Sequence, residues 1–316
     1  MNHIPFNRAE VTDSDRQMLA SSIDNGHISG NGTFTKRAEE LITLALGVKR
    51  TLLTTSCTHA LEMSALLAQL KPGDEVILPA FTFVSSANAF LLYGARPVFV
   101  DVNESTLNID PLLIEKAITP KTKAVCVVHY GGISADIDKI MELASLHNLI
   151  VIEDNAHGLF STYKGSPLGS FGNLATQSFH ETKNITCGEG GALLINDANL
   201  VDRAEILREK GTDRTKFLRG QVDKYTWVDV GSSWVMSDML AAILCGQLER
   251  ANEINLQRIS IYERYDSELA EWSNKHGVLT PPHVEECTHT AHVFHLRFTQ
   301  GEMRDRFVSH LAEYNI

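Results

Sequence analysis

The chain has 316 residues, of which 43% are hydrophobic and 21% charged, and its formal net charge is −11. This balance is typical of a soluble globular protein and excludes a disordered chain, and no apolar run approaches the roughly 20 residues that span a bilayer. The acidic charge argues against nucleic acid or an anionic membrane as a partner, because both bind clustered Lys and Arg.

The N-terminus and the cysteines bear on the cellular compartment. The first residues, MNHIPFNRAEVTDSDRQ, contain no basic region followed by an apolar stretch, so we expect no signal peptide and a cytoplasmic protein. The cysteines are odd in number, scattered and without a C-x-x-C pair, so reduced thiols are the simplest interpretation. They are Cys57, Cys126, Cys187, Cys245 and Cys287.

Short β-rich segments alternate with helical patterns from about residue 50 to 196. Near-continuous apolar strands separated by helices predict a mostly parallel sheet covered on both faces, which is an α/β domain. The predicted strands are TLLTT, EVILP, PVFVD, AVCVVH, LIVIEDN, LATQSFH and GGALLIN. The predicted helices between them include THALEMSALLAQL and ADIDKIMELASLHN.

The segment after about residue 237 predicts one long helix, SDMLAAILCGQLERANEINLQRISIYERYDSELAEW, that leads into a smaller α+β unit. In that unit HVFHLRF is predicted as a strand and EMRDRFVSHLAEY as a helix. We therefore expect a large α/β domain over residues 1–245 and a small C-terminal domain over residues 246–316. A helix directly before the chain end leaves this small domain little sheet to pack against, so we expect the domain to be incomplete.

Polar groups follow the first predicted strand, at the position where ligands bind in an open parallel sheet. Ser56, Cys57 and Thr58 would open a helix there. Free backbone N–H groups, hydroxyls and the positive end of the helix dipole together suit a phosphate. Ordinary N-capping by Ser or Thr is the alternative interpretation.

The end of the fifth predicted strand carries Glu153, Asp154, Asn155 and, further on, His157. An acidic residue at the end of a buried strand is unfavourable unless it meets a metal or a positive partner such as a protonated heterocyclic nitrogen, and helix capping is the alternative. Lys183 comes 29 residues after Asp154, so the fold can return it to the same edge. A surface lysine is the default, but a partly desolvated lysine can form a Schiff base. The phosphate site, the acid Asp154 and Lys183 together predict a pyridoxal phosphate site.

Five motifs stand in order along the chain: PAFTFVSSANA, EDNAHG, SFHETKN, GEGG and VGSSWVMSD. With these motifs the chain resembles the sugar aminotransferases of the DegT/DnrJ/EryC1/StrS family over essentially its whole length. Together, SFHETKN and RGQVDKYTW are most similar to the dTDP-4-amino-4,6-dideoxygalactose transaminase branch. The resemblance implies fold type I of the pyridoxal-phosphate aminotransferases and pyridoxal 5′-phosphate as cofactor.

The resemblance also implies roles for single residues. Lys183 would form an imine with the cofactor and later shuttle protons, and Asp154 would keep the pyridine nitrogen protonated. His157 would stand beside the phenolic oxygen of the cofactor, where most members have Gln. The other cofactor-binding residues that the resemblance implies are Ser178, Cys57 and Thr58 at the phosphate, Phe83 stacked on the ring, and Ser233.

Two more of these residues depart from the pattern of the family, as His157 does. Cys57 stands where Gly or Ala is usual, and there the backbone N–H matters more than the side chain, so we expect no thiol chemistry. Ser233 stands where many members have an Asn that reaches the phosphate in the neighbouring subunit. The resemblance therefore implies a homodimer whose active sites are shared across the interface.

The resemblance implies a transamination in two half-reactions with ping-pong kinetics. L-Glutamate would leave its amine on the cofactor and depart as 2-oxoglutarate, and the amine would then pass to dTDP-4-keto-6-deoxy-D-glucose. The product would be dTDP-4-amino-4,6-dideoxy-D-galactose for a bacterial surface polysaccharide, such as lipopolysaccharide O-antigen or enterobacterial common antigen. The C4 epimer, dTDP-4-amino-4,6-dideoxy-D-glucose, is the alternative product.

Three other functions are weighed against this one. Related sugar dehydratases have His in place of the lysine, so Lys183 argues against that activity. A non-catalytic pyridoxal-phosphate-binding regulator is an alternative from another class, and an NAD-dependent dehydrogenase is disfavoured because GNGTFT lacks the third Gly and the preceding strand.

His289, His292 and His295 suggest a metal site, but a spacing of three on a strand points successive side chains to opposite faces, so we expect surface or core histidines.

Overall fold

The computed structural model describes residues 4–316, which form eleven α-helices and ten β-strands. The helices are α1 (Asp13–Asp24), α2 (Thr33–Leu46), α3 (Cys57–Leu67), α4 (Ser85–Leu91), α5 (Pro111–Ala117), α6 (Ile137–His147), α7 (Val201–Arg208), α8 (Arg214–Leu218), α9 (Asp238–Glu249), α10 (Ala251–His276) and α11 (Gly301–Glu313). The strands are β1 (Arg50–Thr54), β2 (Glu75–Pro79), β3 (Arg96–Val100), β4 (Thr122–Val128), β5 (Ile150–Asp154), β6 (Thr162–Tyr163), β7 (Ser166–Pro167), β8 (Leu174–Ser178), β9 (Gly191–Ile195) and β10 (Cys287–Thr288).

Seven strands form the central sheet in the order β1-β9-β8-β5-β4-β2-β3. The pairs β2–β3, β2–β4, β4–β5 and β5–β8 are parallel, whereas β9 runs antiparallel to both β8 and β1. Each of these seven strands lies on one of the segments predicted from the sequence. The predicted α/β fold with a mostly parallel sheet is therefore confirmed. The strands β10, β6 and β7 form a second, small sheet.

Helices cover both faces of the central sheet, as near-continuous apolar strands require. Leu52 and Leu193 are fully buried in a core that includes side chains of α3 and α4. Their chain neighbours Leu53 and Leu194 are equally buried in a second core that includes side chains of α2 and α9. Successive strand residues point to opposite faces, so one run of apolar residues supplies both cores, and each buried Leu contributes about 1.5–3 kcal/mol to folding.

The GNGTFT segment is the start of α2, packed against α9. The carboxylate of Asp238 in α9 accepts the backbone N–H and the hydroxyl of Thr35 at 2.7 and 2.8 Å, and the N–H of Phe34 at 3.3 Å. A Cβ atom at Gly32 would lie 2.4 Å from that carboxylate. The glycine therefore permits close approach of two helices, and Asp238 caps the free N–H groups of α2.

The single long helix predicted after residue 237 is wrong, because the structure has two helices that meet at Arg250. Arg250 leaves the helical conformation at φ −101° and ψ 8°. Its guanidinium group lies 3.0 Å from the carboxylate of Asp15 on α1, which is fully buried. This ion pair holds the end of α9 against α1 at the point where α10 begins.

The predicted strand HVFHLRF is also wrong, whereas the helix predicted after it is confirmed as α11. Residues 291–297 lie outside the strands, and Arg297 makes only an isolated antiparallel bridge with Leu279, with N–H to carbonyl distances of 2.8 and 2.9 Å. Pro281 and Pro282 follow Leu279 and have no N–H to extend the ladder. The predicted domain boundary between residues 245 and 246 falls within α9, and the division into two domains stays a prediction.

The structure also bears on the membrane and on the thiols. Within residues 4–316, no helix combines the length and the hydropathy that crossing a bilayer needs. All five cysteines are free thiols, as predicted. The cytoplasmic location stays a prediction.

Candidate active site

The carboxyl ends of β4, β5 and β8 meet at one edge of the sheet. Asp154 is the last residue of β5 and pairs in register with Val128 of β4 and Thr176 of β8. Lys183 follows β8 in a turn, and its backbone N–H donates to the carbonyl of His180 at 2.9 Å. The parallel topology therefore brings the two predicted catalytic residues to the same edge of the sheet.

The carboxyl group of Asp154 is buried, with only 6% of the residue exposed. Ser86 of α4 donates its hydroxyl to Oδ2 at 2.6 Å, and the N–H of Ala156 donates to Oδ1 at 3.4 Å. Burial raises the pKa of Asp154, whereas these two hydrogen bonds and the nearby charge of Lys183 lower it. A buried carboxylate of this kind is favoured beside a positive group.

The side chain of Lys183 is half-buried beside Asp154 and Cys57. Burial lowers the pKa of Lys183 below its ordinary value of 10.5, and the two neighbours oppose this effect. Desolvation of the ammonium favours the neutral amine, which is the form that attacks a carbonyl carbon. Lys183 is therefore better suited to imine formation than an exposed lysine.

His157 comes three residues after Asp154 and is also half-buried. The backbone N–H of Gly131 donates to its Nδ1 at 3.2 Å, so the neutral ring carries its proton on Nε2. Burial and the charge of Lys183 lower the pKa of His157 to about 3. His157 is thus neutral at physiological pH and offers a single N–H donor, as the amide of Gln would.

The N-terminus of α3 lies beside the last residue of β8. Ser56 is the N-cap, and its hydroxyl accepts the N–H of His59 at 3.1 Å. Gly191 of β9 packs against this turn, because a Cβ atom there would lie 2.3 Å from the backbone nitrogen of Cys57. Ser178 ends β8 in register with Gly191. The turn thus combines free N–H groups of a helix start with a hydroxyl, which is the chemistry that binds phosphate.

The side chains of Cys57 and Thr58 serve to connect elements of the site. The thiol of Cys57 lies 3.4 Å from the hydroxyl of Thr176, and burial raises its pKa far above the ordinary value, so the thiol stays protonated. Thr58 donates its hydroxyl to Ser85 at 2.9 Å. This contact ties α3 to α4, the helix that carries Ser86.

Phe83 and Ser233 are the two predicted cofactor-binding residues at the rim. Phe83 is 74% exposed and lies three residues before Ser86 in the loop that leads into α4. Ser233 is exposed, and its neighbour Trp234 accepts the N–H of Thr55 at 3.1 Å, just before the N-cap of α3. The structure places both residues near the other predicted ones but gives neither a hydrogen bond to them, so their roles stay predictions.

Ser86 and His292, which were not predicted as site residues, each contact one that was, and Asn184 follows Lys183 directly and contacts His292. Ser86 stands inside the PAFTFVSSANA motif, which was a signal for it. The ring centroid of His292 lies 4.2 Å from that of His157, and its Nδ1 lies 3.0 Å from Oδ1 of Asn184. His292, expected to be a surface or core histidine, is half-buried and packs against a predicted site residue.

The two other histidines of that segment contact aromatic rings. The ring centroids of His289 and Tyr262 are 4.6 Å apart, and those of His295 and Tyr130 are 6.0 Å apart. Over the described range 4–316, no cluster of three His, Cys, Asp or Glu side chains has an arrangement suited to a metal ion.

Glu153, the neighbour of Asp154, points to the opposite face of β5. Its carboxylate accepts the backbone N–H groups of Gly169, Phe171 and Gly172 at 2.9, 2.9 and 2.7 Å. The Nε2 atom of the buried His129 lies 2.9 Å from the same carboxylate. Glu153 therefore organises the loop before β8, whereas Asp154 faces the site.

The sequence model of the DegT/DnrJ/EryC1/StrS aminotransferase family matches residues 10–316. The chain belongs to this family. Spore coat polysaccharide biosynthesis protein SpsC of Bacillus subtilis (strain 168) is 34% identical over 323 residues, which cover 100% of this chain and 82% of SpsC. GDP-perosamine synthase of Caulobacter vibrioides is 36% identical over 306 residues, which cover 96% of this chain and 80% of that synthase.

The solved structures agree with the sequence relatives of this DegT/DnrJ/EryC1/StrS aminotransferase. Spr1654 from Streptococcus pneumoniae in its PLP-form superposes with a TM-score of 0.90 at 29% identity, over 100% of this chain and 83% of that one. The same protein has also been solved in a PMP-form. This chain is therefore a sugar aminotransferase with pyridoxal 5′-phosphate as its cofactor.

The residues of the aminotransferase site fit pyridoxal 5′-phosphate. The amine of Lys183 suits the aldehyde, the buried carboxylate of Asp154 suits a protonated pyridine nitrogen, and the start of α3 suits the phosphate. Bound there, the cofactor supplies an electron sink for the exchange of an amino group between two carbonyl carbons. The remaining chemistry falls to side chains of this protein.

In the cofactor-free aminotransferase we expect Lys183 to titrate below an exposed lysine. Lys164 is the matched comparison, because a hydrogen bond of 2.7 Å to Asp138 raises its pKa above 10.5. Competitive labelling of amines over a pH series, with mass spectrometry of the peptides, gives a midpoint for each lysine. The Lys183 midpoint should be the lower, and coincident midpoints would contradict the desolvation of this amine.

Proposed function

We propose that this protein transaminates dTDP-4-keto-6-deoxy-D-glucose with L-glutamate. The products are dTDP-4-amino-4,6-dideoxy-D-galactose and 2-oxoglutarate, and the amino sugar serves a bacterial surface polysaccharide. The observation that carries the proposal is the placement of a half-buried amine of lowered pKa, Lys183, beside the buried carboxylate of Asp154. An amine and a carboxylate in these environments match the two tasks that transamination requires of side chains.

In the proposed mechanism Lys183 has two tasks and each other side chain has one. Lys183 would hold the cofactor at its aldehyde and, as a free amine, would carry a proton between two carbons. Asp154 would hold the proton on the ring nitrogen, and His157 would donate its Nε2–H to an oxygen of the cofactor. Ser178, Thr58 and the N–H of Cys57 would bind the phosphate, and Phe83 would cover the ring.

The choice of a dTDP-linked acceptor rests on RGQVDKYTW, the segment that resembles the dTDP-sugar branch of the family. Arg219 anchors this segment through two hydrogen bonds of 2.7 and 2.9 Å to the buried carboxylate of Glu205. Farther along this segment, Tyr225 and Trp227 are 48% and 79% exposed to solvent. One relative is named GDP-perosamine synthase, and this name refers to a GDP-linked amino sugar. The assay therefore tests the nucleotide base of the acceptor separately.

A homodimer is part of the proposal. Trp227, Val228 and Val230 form an exposed apolar stretch three residues before Ser233. A stretch of this kind is typical of a protein interface. A second copy of the chain over it would bring Ser233 to the partner's site, and this placement would give Ser233 the role that the family resemblance implies.

The test is a product analysis with defined substrates. The protein with pyridoxal phosphate is incubated with L-glutamate and dTDP-4-keto-6-deoxy-D-glucose, and in parallel with a GDP-linked 4-keto-6-deoxyhexose. We expect 2-oxoglutarate and an amino sugar in the dTDP reaction, with small H3–H4 and H4–H5 couplings in the proton NMR spectrum because H4 is equatorial in the galacto product.

Each other result has a definite meaning. Large couplings would show the gluco epimer and contradict the assigned stereochemistry at C4. Turnover of the GDP sugar alone would contradict the base. A bound cofactor whose absorbance does not change with L-glutamate would indicate a non-catalytic binding protein and contradict the proposed activity.

A further inference from the structure

His292 reaches the site from the segment that follows α10, far from the other site residues in the chain. Its ring lies against that of His157, with centroids 4.2 Å apart and an interplanar angle of 36°. Its Nδ1 lies 3.0 Å from the side-chain oxygen of Asn184, a residue 108 positions away and directly after Lys183. His292 therefore contacts one residue shortly after the predicted catalytic acid and one directly after the predicted catalytic lysine.

The contacts of Asn184 fix the proton of His292. Asn184 donates its side-chain N–H to the carbonyl of Thr290 at 2.7 Å, so the amide oxygen is the atom that faces His292. That oxygen can only accept, so the Nδ1 atom of His292 must carry a proton. Burial and the charges of Lys183 and Arg258 lower the pKa of His292 to about 2, so the ring is neutral with a free lone pair on Nε2.

The backbone before His292 is held in an unusual conformation. Ala291 has a φ of +52° although it has a Cβ atom, and it is buried. The guanidinium group of Arg258 on α10 donates to the carbonyls of Ala291 and His292 at 3.2 and 2.8 Å, and His289 accepts the N–H of Ala291 at 3.1 Å. Left-handed backbone costs about 1 kcal/mol or more and persists only where its surroundings determine it.

We propose that His292 is a positioning residue of the cofactor site. It holds the ring of His157 by contact and the side chain of Asn184, the residue after Lys183, by hydrogen bonding, and so links the segment after α10 to the cofactor site. His292 acts through these two neighbours and is not itself assigned a step of the reaction. The inference rests on the proposed function, because it takes Lys183 and His157 as cofactor-binding residues.

Two substitutions separate the two contacts of His292. His292→Phe keeps a ring against His157 but removes the hydrogen bond to Asn184, whereas His292→Asn keeps a donor near the position of Nδ1 but removes the ring. His295→Phe is the matched control on the same segment, because neither ring nitrogen of His295 has a hydrogen-bond partner among residues 4–316.

The readouts are taken on the full chain without any activity assay. The cofactor-free protein is titrated with pyridoxal phosphate, followed by absorbance, and the melting temperature of the cofactor-free form is measured. We expect each His292 variant to raise the Kd for the cofactor by about tenfold and to shift the visible absorption maximum, since one neutral hydrogen bond or ring contact is lost. His295→Phe should change the Kd by less than about twofold, because it keeps a ring at that position and removes no hydrogen bond.

Three outcomes would overturn the inference: unchanged Kd and spectrum in both His292 variants, an equal rise in Kd for His295→Phe, or a fall in the melting temperature that accounts for the whole loss of affinity. A failure of the proposed function looks different. Then the unsubstituted protein would not form the absorbing complex, or Lys183→Ala would form it equally well. If the unsubstituted protein forms the complex with pyridoxal phosphate and the His292 variants form it equally well, only the positioning role of His292 is refuted and the proposed function stands.

Discussion

Lys183→Ala is expected to abolish transamination while the protein stays folded. The substitution removes the amine that binds the cofactor aldehyde and moves the proton, so we expect turnover to fall by about 10⁴-fold or more. The side chain is half-buried at the edge of the sheet and outside the main cores, so the melting temperature of the cofactor-free protein should change little. The measurement is 2-oxoglutarate formation from L-glutamate together with thermal unfolding.

Two further variants make this result specific. Lys164→Ala removes an exposed lysine that pairs with Asp138 and should retain full turnover. Lys183→Arg keeps a positive charge but cannot form an imine, so it should be as inactive as Lys183→Ala. Substantial turnover in either Lys183 variant would refute the role of this residue.

Asp154→Asn is expected to slow the reaction by roughly 10³-fold while the cofactor remains bound. The amide cannot hold a proton on the pyridine nitrogen, so electron withdrawal by the ring weakens. In the unsubstituted protein the hydroxyl of Ser86 donates to Oδ2 of Asp154 at 2.6 Å, and the amide oxygen of Asn can still accept this hydrogen bond. Single-turnover reaction with L-glutamate gives the rate, and the absorbance of the bound cofactor gives its occupancy.

Glu153→Gln is the matched comparison for Asp154→Asn. It changes the adjacent acid on the same strand, but it weakens the three N–H contacts of the loop over residues 169–172 and the contact with His129. We expect a lower melting temperature and a near-normal rate per folded molecule, the reverse of the effect at Asp154. A near-normal rate for Asp154→Asn would remove that residue from its proposed role.

Most of the sheet could be predicted from the sequence, because each buried strand is a short apolar run bounded by helical patterns. The two errors have causes that the periodicity of the sequence does not report. The break at Arg250 depends on an ion pair with the buried Asp15 more than two hundred residues earlier. The expected strand over residues 292–298 fails because the segment near Leu279 continues into two prolines, which cannot donate to a ladder.

The site divides in a similar way. Asp154 and Lys183 could be located because strand ends in a parallel sheet share one edge. Ser86 and His292 could not be located from spacing, since their contacts join residues 68 and 108 positions apart in the chain. The left-handed conformation of Ala291, which directs His292, also has no signal in the sequence, because Gly or Asn is the usual residue there.

The opposite orientations of Glu153 and Asp154 make the cofactor site sensitive to strand register. A slip of β5 by one residue would exchange the two side chains between the faces of the sheet. The longer Glu153 would then crowd the pyridine ring, and the backbone amides of residues 169–172 would lose their shared acceptor at the same moment. A misregistered molecule would therefore lose both vitamin binding and loop order, so cofactor capture selects correctly aligned chains.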